Sequence, residues 1–496
     1  MATLTFDNLR AKLTGLSDRD QAAVRGAFTA WAEGFRHRPA YKHSGWDGRV
    51  SAIGPDFEFD TGLVPHILEL TKDDVDLIDE RPIRQLELTQ PTVELRDYQL
   101  QAIQQSFQNV IVDHVWWPRG IENVATGGGK TETAVAMVQM ARVPTLFLVD
   151  QRDLVVQARA RFEKYGIETG TIEGGTVVGS REVVVATVQG LMAWSNRTRK
   201  KTEKKERTWE ELRRLRERKA EMKEELLGYL QTVEMLILDE AHMIGEDKKK
   251  PGQGNFLHRA LMHMPNAYMR FGLTATPFMR DACSNWLLEG AIGRKLHTVT
   301  SRELIESDQL ADPEVFIHKG PKMGVPTDCG FNLEYQLGVE GADWRNQKIV
   351  DLIRTEEGPT LVLVSTLSHG LTIQRMCREQ GLEVEFMSGQ TPIKRRTEVW
   401  QQLRDESLRA VIACRIADKG LDVENIRTLI NASGGKSAWQ LIQRLGRALR
   451  RTATKLTVRV HDFYDQATPN LRRHSNKRRS TYIQQGHKVT ELSCAS

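Results

Sequence analysis

The chain has 496 residues, 40% of them apolar and 27% charged, with 70 Lys plus Arg set against 65 Asp plus Glu. This balance suits two or three globular domains and excludes wholesale disorder and Gly/Pro low complexity. No run approaches the roughly eighteen apolar residues of a membrane span, and the first residues carry charges in place of an apolar signal core, so a soluble cytoplasmic protein is expected.

The net charge of +5 says little as a sum. The stretch Arg197 to Glu225 holds 13 basic and 8 acidic residues and so equals the whole excess, and a second basic patch runs from Arg472 to Arg479. A protein of this balance meets a polyanion through such local patches. Cys283, Cys329, Cys377, Cys414 and Cys494 stand singly, with no C-x-x-C pair, which points to free thiols and to neither a disulfide framework nor a zinc site.

In chain order, residues 1–90 open with an amphipathic segment and continue with short apolar runs between Gly, Pro and Asp turn signals, the pattern of a small α+β module with a hairpin. Residues Arg81 to Pro91 read as a linker. From 91 to 305 the apolar runs VPTLFLVD, EVVVATV, VEMLILDE and YMRFGLTAT alternate with helical segments, and from 306 to 465 PTLVLVS, LEVEFM, LRAVIACR and IRTLINA do the same. Runs apolar on both faces belong to parallel sheets, so two successive α/β domains are expected. Within the first, a charged helical arm is expected at about 194–230, with Leu212, Leu215, Met222 and Leu226 at helical spacing. It reads either as a solvated helix held by intrahelical ion pairs or as an arm that touches DNA or a partner. Residues 466–496 are expected as a basic C-terminal tail.

The segment ATGGGKTETAV places Thr126, Gly127, Gly128 and Gly129 ahead of Lys130 and Thr131 at the start of a helical pattern. Loop amides there cradle phosphates, Lys130 reaches the β- and γ-phosphates, and the Thr131 hydroxyl ligates Mg²⁺. The run MLILDEAHMI supplies the partner: Asp239 to hold Mg²⁺ and Glu240 to orient and activate the attacking water. His242 beside them, and Thr274 and Thr276 after the strand YMRFGL, are candidates for coupling this site to a bound strand. In QLIQRLGRALR, Arg444, Arg447 and Arg450 share roughly one helical face with Gln443, which suits stabilisation of transferring phosphate charge.

In this order the motifs over residues 94–455 resemble those of superfamily 2 helicases and translocases. The resemblance implies two tandem RecA-like parallel-sheet domains forming a helicase core, preceded by a small α+β DNA-binding domain. It implies ATP and Mg²⁺ as cofactors and DNA as partner. LRDYQ resembles the adenine-side motif, with Gln99 reading the base and Arg96 supporting it. Asp239 to His242 match the DEAH form. Gly420 and Asp422 fall in the motif that bridges nucleic acid and nucleotide, and Arg447 and Arg450 are the phosphate-facing pair. QRDLVVQ and ATVQG resemble backbone-contact segments, which carries that role to Arg152, Gln157, Thr187 and Gln189. One departure is Cys414, where many relatives have a small hydroxyl residue, so a phosphate hydrogen bond there is weaker or supplied elsewhere.

RPAYKHSGWDGRVSAIGPDFEFDTGLVPHI resembles the N-terminal module of the T4-type phage UvsW helicases, which implies nucleic-acid contacts at Tyr41 and Trp46, though both also suit an ordinary core. The implied function is an ATP-dependent helicase that remodels branched DNA or duplex–single-strand junctions, with RNA–DNA hybrids as a further substrate. It would act as a monomeric motor in viral recombination, replication and repair, in the host cytoplasm if phage-encoded. The alternatives are a double-strand translocase without strand separation and the motor subunit of a restriction system.

Overall fold

The computed structural model describes residues 2–111, 114–191, 209–322, 324–326, 330–414, 425–435 and 457–493. The expectations for Gly420, Asp422, Gln443, Arg444, Arg447 and Arg450, and for the arm before residue 209, lie outside these residues. The chain divides into two compact units, Met1–Val124 with Gly129–Thr298, and Val299–Ser496 with Ala125–Gly128.

The first unit begins with strands β1 (Ala2–Phe6), β2 (Arg10–Thr14), β3 (Thr29–Trp31), β4 (Arg49–Ser51), β5 (Glu58–Asp60) and β6 (Val75–Asp79). β3 and β4 pair as a hairpin, and the others form a sheet in the order β5-β2-β1-β6. Burial alternates along β1, so Leu4 and Phe6 enter the core while the intervening residues do not. That core continues into the α/β part: Trp117, fully buried, meets Phe6 edge-on at 5.4 Å, and Trp286 packs on the same cluster. A Cβ at Gly62 would run into the carbonyl oxygens of Glu289 and Gly290, so the two backbones touch. The expected linker is also fixed. Buried Arg81 pairs with Asp79 at 2.7 Å and donates to the Trp116 carbonyl, and the Thr89 amide donates to Met140 O. Residues 1–90 are therefore built onto the α/β sheet.

That sheet contains β7 (Arg119–Val124), β8 (Thr145–Val149), β11 (Val183–Thr187), β12 (Met235–Asp239), β13 (Met269–Thr274) and β14 (Lys295–Val299), with a small hairpin of β9 (Thr171–Glu173) and β10 (Thr176–Val178) beside it. Its order is β11-β8-β12-β13-β7-β14, and the first five strands pair parallel. β8 and β11 are buried along their whole length because helices cover both faces, which is why they read as uninterrupted apolar runs. The helix Trp209–Thr232 divides in character: Trp209 is 83% exposed, whereas Leu226, Tyr229 and Leu230 are buried in the core. Its solvent side carries the Arg213–Glu217 pair at 3.7 Å, and Arg181 fastens Glu225 at 2.7 Å.

The second unit holds β15 (Asp312–Lys319), β16 (Thr360–Val364), β17 (Val384–Met387), β18 (Ala410–Cys414), β19 (Thr428–Asn431), β20 (Thr457–Tyr464) and β21 (Lys488–Ser493) in the order β17-β18-β16-β19-β20-β15-β21, parallel throughout. Two parallel sheets in tandem after a small α+β module is the expected fold class. Residues 466–496, expected as a tail, instead supply the helix Pro469–Gln484 and the edge strand β21. The reason is Arg478, which lies in the basic patch but is buried: its Nε donates to both Asp462 carboxylate oxygens at 3.1 Å and its Nη2 to Phe463 O at 2.6 Å. Arg479 pairs with Glu491 of β21 at 2.6 Å. Among the described residues, no helix is long and apolar enough to cross a membrane.

Candidate functional site

The expected site residues of the first unit gather at the C-terminal ends of β7, β12 and β13, where an open parallel sheet binds ligands. After β7 the chain turns through Gly127 (φ 91°) and Gly129 (φ 75°), both left-handed, and enters the helix Lys130–Ala141. A Cβ at Gly129 would stand 2.5 Å from Gln99 Nε2. Gln99 is itself pinned: its Oε1 accepts from the Arg96 amide at 2.9 Å, and its Nε2 donates to Gly129 O at 3.1 Å. In this structure Gln99 braces the loop at Gly129, while the exposed Arg96 donates to the Tyr98 hydroxyl at 2.8 Å.

The Lys130 ammonium is buried and makes no hydrogen bond among the described residues; its Nζ stands 3.8 Å from Glu240 Oε1. The Thr126 hydroxyl is likewise buried without a hydrogen bond there. A buried ammonium at the head of a helix, just after left-handed Gly129, has the chemistry to receive an anion.

Opposite lies the end of β12. Asp239 accepts from the Glu240 amide at 3.0 Å. Burial first, then the adjacent Glu240 carboxylate, raise the Asp239 carboxyl to about 6, with Lys130 opposing. Glu240 takes a left-handed backbone (φ 54°), a strained conformation for this residue that aims its side chain back toward Lys130. Glu240 Oε2 lies 3.2 Å from His242 Nδ1, which also lies 3.1 Å from Thr274 Oγ1, and Thr274 Oγ1 accepts from the Thr276 amide at 3.2 Å. A continuous polar path thus runs from the acidic pair to the loop after β13. Oxygen donors of this kind, a Thr131 hydroxyl and an Asp239 carboxylate beside a phosphate cradle, fit Mg²⁺, which takes few protein ligands and shares phosphate oxygens.

Arg152, Thr187 and Gln189 fall at the adjacent ends of β8 and β11, where Val149 and Thr187 are in register, and Gln157 lies in the helix Arg152–Lys164 that follows β8. Arg152, Gln157 and Gln189 are exposed, and Thr187 is buried with its hydroxyl accepting from the Gly190 amide at 2.9 Å. In the N-terminal module Tyr41 is exposed, but Trp46 packs with Ala32, Val50 and Cys283 and donates its indole N–H to Arg49 O at 2.7 Å. Cys414 ends β18 and is buried.

Several residues escaped the sequence reading. The Asn123 amide nitrogen, oriented by its surroundings, donates to the Thr274 and Ala275 carbonyls and ties the strand before the phosphate loop to the loop after β13. Arg280 Nη1 donates to Ile244 O at 3.1 Å behind the acidic segment. Trp31, 55% exposed, stacks on Phe35 at 4.8 Å with the Arg49 guanidinium 5.1 Å from its ring, and Phe35 meets Tyr41 edge-on at 5.0 Å. The run Phe35-Arg36-His37-Arg38, rings and cations side by side, was the available signal there.

Residues 92–279 match the res subunit of type III restriction enzymes, and residues 344–452 match the helicase conserved C-terminal domain. The putative helicase 22 of a Sulfolobus islandicus filamentous virus is 27% identical over 47% of this chain and 42% of its own length. The ATP-dependent DNA helicase uvsW of Enterobacteria phage T4 is 20% identical over 93% of this chain and 90% of its own. A fragment of a putative HsdR subunit of a type I restriction enzyme from Vibrio vulnificus shares the fold, with a TM-score of 0.55 at 17% identity, over 80% of this chain and 68% of that one. The chain spans less than half the length of the first curated relatives it matches.

Proposed function

We propose, from the premise that this chain belongs to helicase superfamily 2 through its two matched domains, that it is an ATP-driven DNA motor. The observation that carries this reading is the buried Lys130 ammonium, without a hydrogen bond among the described residues, above left-handed Gly129 and 3.8 Å from Glu240. Lys130 binds the β- and γ-phosphates, and Gln99 holds the loop in the shape that receives them. Thr131 and Asp239 would hold Mg²⁺, which supplies charge neutralisation on the phosphate oxygens. Glu240, aimed by its left-handed backbone and by His242, orients the attacking water and accepts its proton. Through Thr274 the same histidine links this base to the loop after β13, so strand engagement and hydrolysis share one hydrogen-bonded path. On motif position alone, Asp422 is assigned to nucleotide, Arg447 and Arg450 to the transferring phosphate, Gln443 and Arg444 to coupling, and Gly420 to nucleic acid.

DNA is taken as the track, its backbone held by Arg152, Gln157, Thr187 and Gln189, with largely sequence-independent grip. The rings of Trp31, Phe35 and Tyr41, with Arg49 and the exposed Arg36 and Lys42 around them, suit bases freed at a branch point. The substrate class is branched DNA or a duplex–single-strand junction, with an RNA–DNA hybrid as a further one. The motor acts as a monomer in phage recombination, replication and repair, in the host cytoplasm. The match to the res subunit favours a second reading, the motor of a restriction system, for which a copurifying nuclease or methyltransferase would be the sign.

One matched assay tests the proposal: ATP turnover and strand movement on duplex, fork, four-way junction, R-loop and single strand at identical salt. Turnover stimulated most by fork and junction, with strand movement on both, is the expected result. Turnover indifferent to every DNA would overturn it.

A further inference from the structure

The turn that follows the acidic segment carries a charge cluster that the motor reading does not use. Glu246 and Gly254 pair as an isolated antiparallel bridge, and inside it the Asp247 amide donates to Gln253 O at 2.8 Å, the Lys250 amide to Asp247 O at 2.8 Å and the Gln253 amide to Lys250 O at 3.1 Å. The result is a tightly bonded turn whose tip presents Lys248, Lys249 and Lys250, all exposed. The nearby carboxylates are engaged elsewhere. Glu246 receives both Arg38 guanidinium nitrogens at 2.7 and 2.8 Å and the Gly252 amide at 3.0 Å. Asp247 accepts from the Lys249 amide and lies 3.5 Å from Arg259. Three adjacent ammonium groups on a rigid turn therefore present a concentrated positive field.

The base of this turn is locked to the N-terminal module. The Arg38–Glu246 pair is bidentate and nearly buried, with side-chain exposures of 13% and 3%. A Cβ at Gly252 would lie in van der Waals contact with Val50, at 3.8 Å, and Val50 is the neighbour of Arg49, whose guanidinium lies over Trp31. The lysine turn is thus fixed to the module that carries the aromatic rings through Arg38 and through Val50, which faces the core side of β4 while Arg49 faces solvent.

We propose that the Lys248–Lys250 turn is a contact for the sugar-phosphate backbone of DNA. The Arg38–Glu246 joint holds it in register with the aromatic face, so phosphates of one arm of a junction lie on the lysines while its freed bases meet the rings. The inference rests on the reading of the chain as a DNA motor. Nucleic acid is favoured over an acidic protein because exposed stacked rings beside arginine match bases, which an acidic peptide lacks.

The test measures the affinity of the full chain for a forked DNA across a salt series, for wild type, Lys248→Ala/Lys249→Ala/Lys250→Ala and the corresponding triple Lys→Arg variant. Each phosphate contact contributes about 0.9 to the slope of log affinity against log salt, so the alanine triple is expected to lose about 2 to 3 from that slope, and the arginine triple to keep it. Because the lysines are exposed, the fold is not at stake. Arg38→Gln, which frees the turn without removing a lysine, is expected to lower fork affinity several-fold; if that variant fails to fold, the alanine triple decides. An alanine-triple slope equal to wild type would overturn the proposal. Wild type showing no DNA-stimulated turnover would instead sink the motor reading, so the two failures are distinguishable.

Discussion

Arg478→Ala should unfold the second unit far more easily than any other change in its basic helix. The guanidinium is buried and gives its Nε to both oxygens of Asp462, its Nη1 to Gly435 O at 3.0 Å and its Nη2 to Phe463 O. Burial pushes the Asp462 carboxyl up, but Arg478 and the Tyr482 hydroxyl, which donates to it at 2.8 Å, together hold it below the ordinary carboxylate range. Truncating Arg478 strands that carboxylate in the core, a loss of about 3–5 kcal/mol. With a urea dependence of about 2 kcal/mol per molar, the midpoint falls by about 2 M. The exposed Arg472 on the same helix is the control, and its alanine variant should stay within about 0.5 kcal/mol of wild type. Urea unfolding followed by hydrogen exchange in β20 reads the unit directly. Equal midpoints for the two variants would refute the claim that residues 466–496 are part of this domain's core.

Gly129→Ala meets both a left-handed backbone, a cost of about 1–2 kcal/mol, and Gln99 Nε2 at 2.5 Å. It should raise KM for ATP, and an unchanged KM would contradict the loop geometry. His242→Ala breaks the path to Thr274, and loss of about 1 kcal/mol of hydrogen bonding predicts about a fivefold fall in the ratio of DNA-stimulated to unstimulated turnover; a constant ratio would argue against the relay. Burial holds His318 at about 4, His369 at about 3 and His487 at about 4. Between these values and their ordinary pKa the unfolded chain binds more protons, so stability of the second unit falls as pH drops from about 6.5 toward 4, by up to about 4 kcal/mol per pH unit for three protons. Urea midpoints that stay level between pH 6.5 and 5 would contradict this.

The phosphate loop and the acidic pair were legible in the sequence because each is a run of neighbouring residues at a strand end, where local chemistry and position coincide. Lys130 stands 3.8 Å from Glu240, Asp239 accepts from the Glu240 amide, and His242 lies 3.1 Å from Thr274 Oγ1. The role of the C-terminal residues was not legible, since RRHSNKRR reads as solvated charge until Asp462, 16 positions earlier, is brought against Arg478 by the return of the helix onto β20. That Trp46 takes the core reading, and that Trp31 is the exposed ring, has a related reason. Which aromatic of a small module faces water depends on the turn at Gly48, whose added Cβ would strike the Phe35 ring, and not on local sequence. The Arg38–Glu246 joint spans 208 positions and no spacing could announce it.

The central claim is that hydrolysis at Lys130 and Glu240 is driven by DNA. ATP turnover of wild type, Lys130→Ala and Glu240→Gln, each with and without forked DNA, tests it most directly. The account predicts strong stimulation in wild type and its collapse in both variants, by about 100-fold or more if the substituted groups act on the transition state. Equal turnover in all three proteins, or a wild type that ignores DNA, would contradict it.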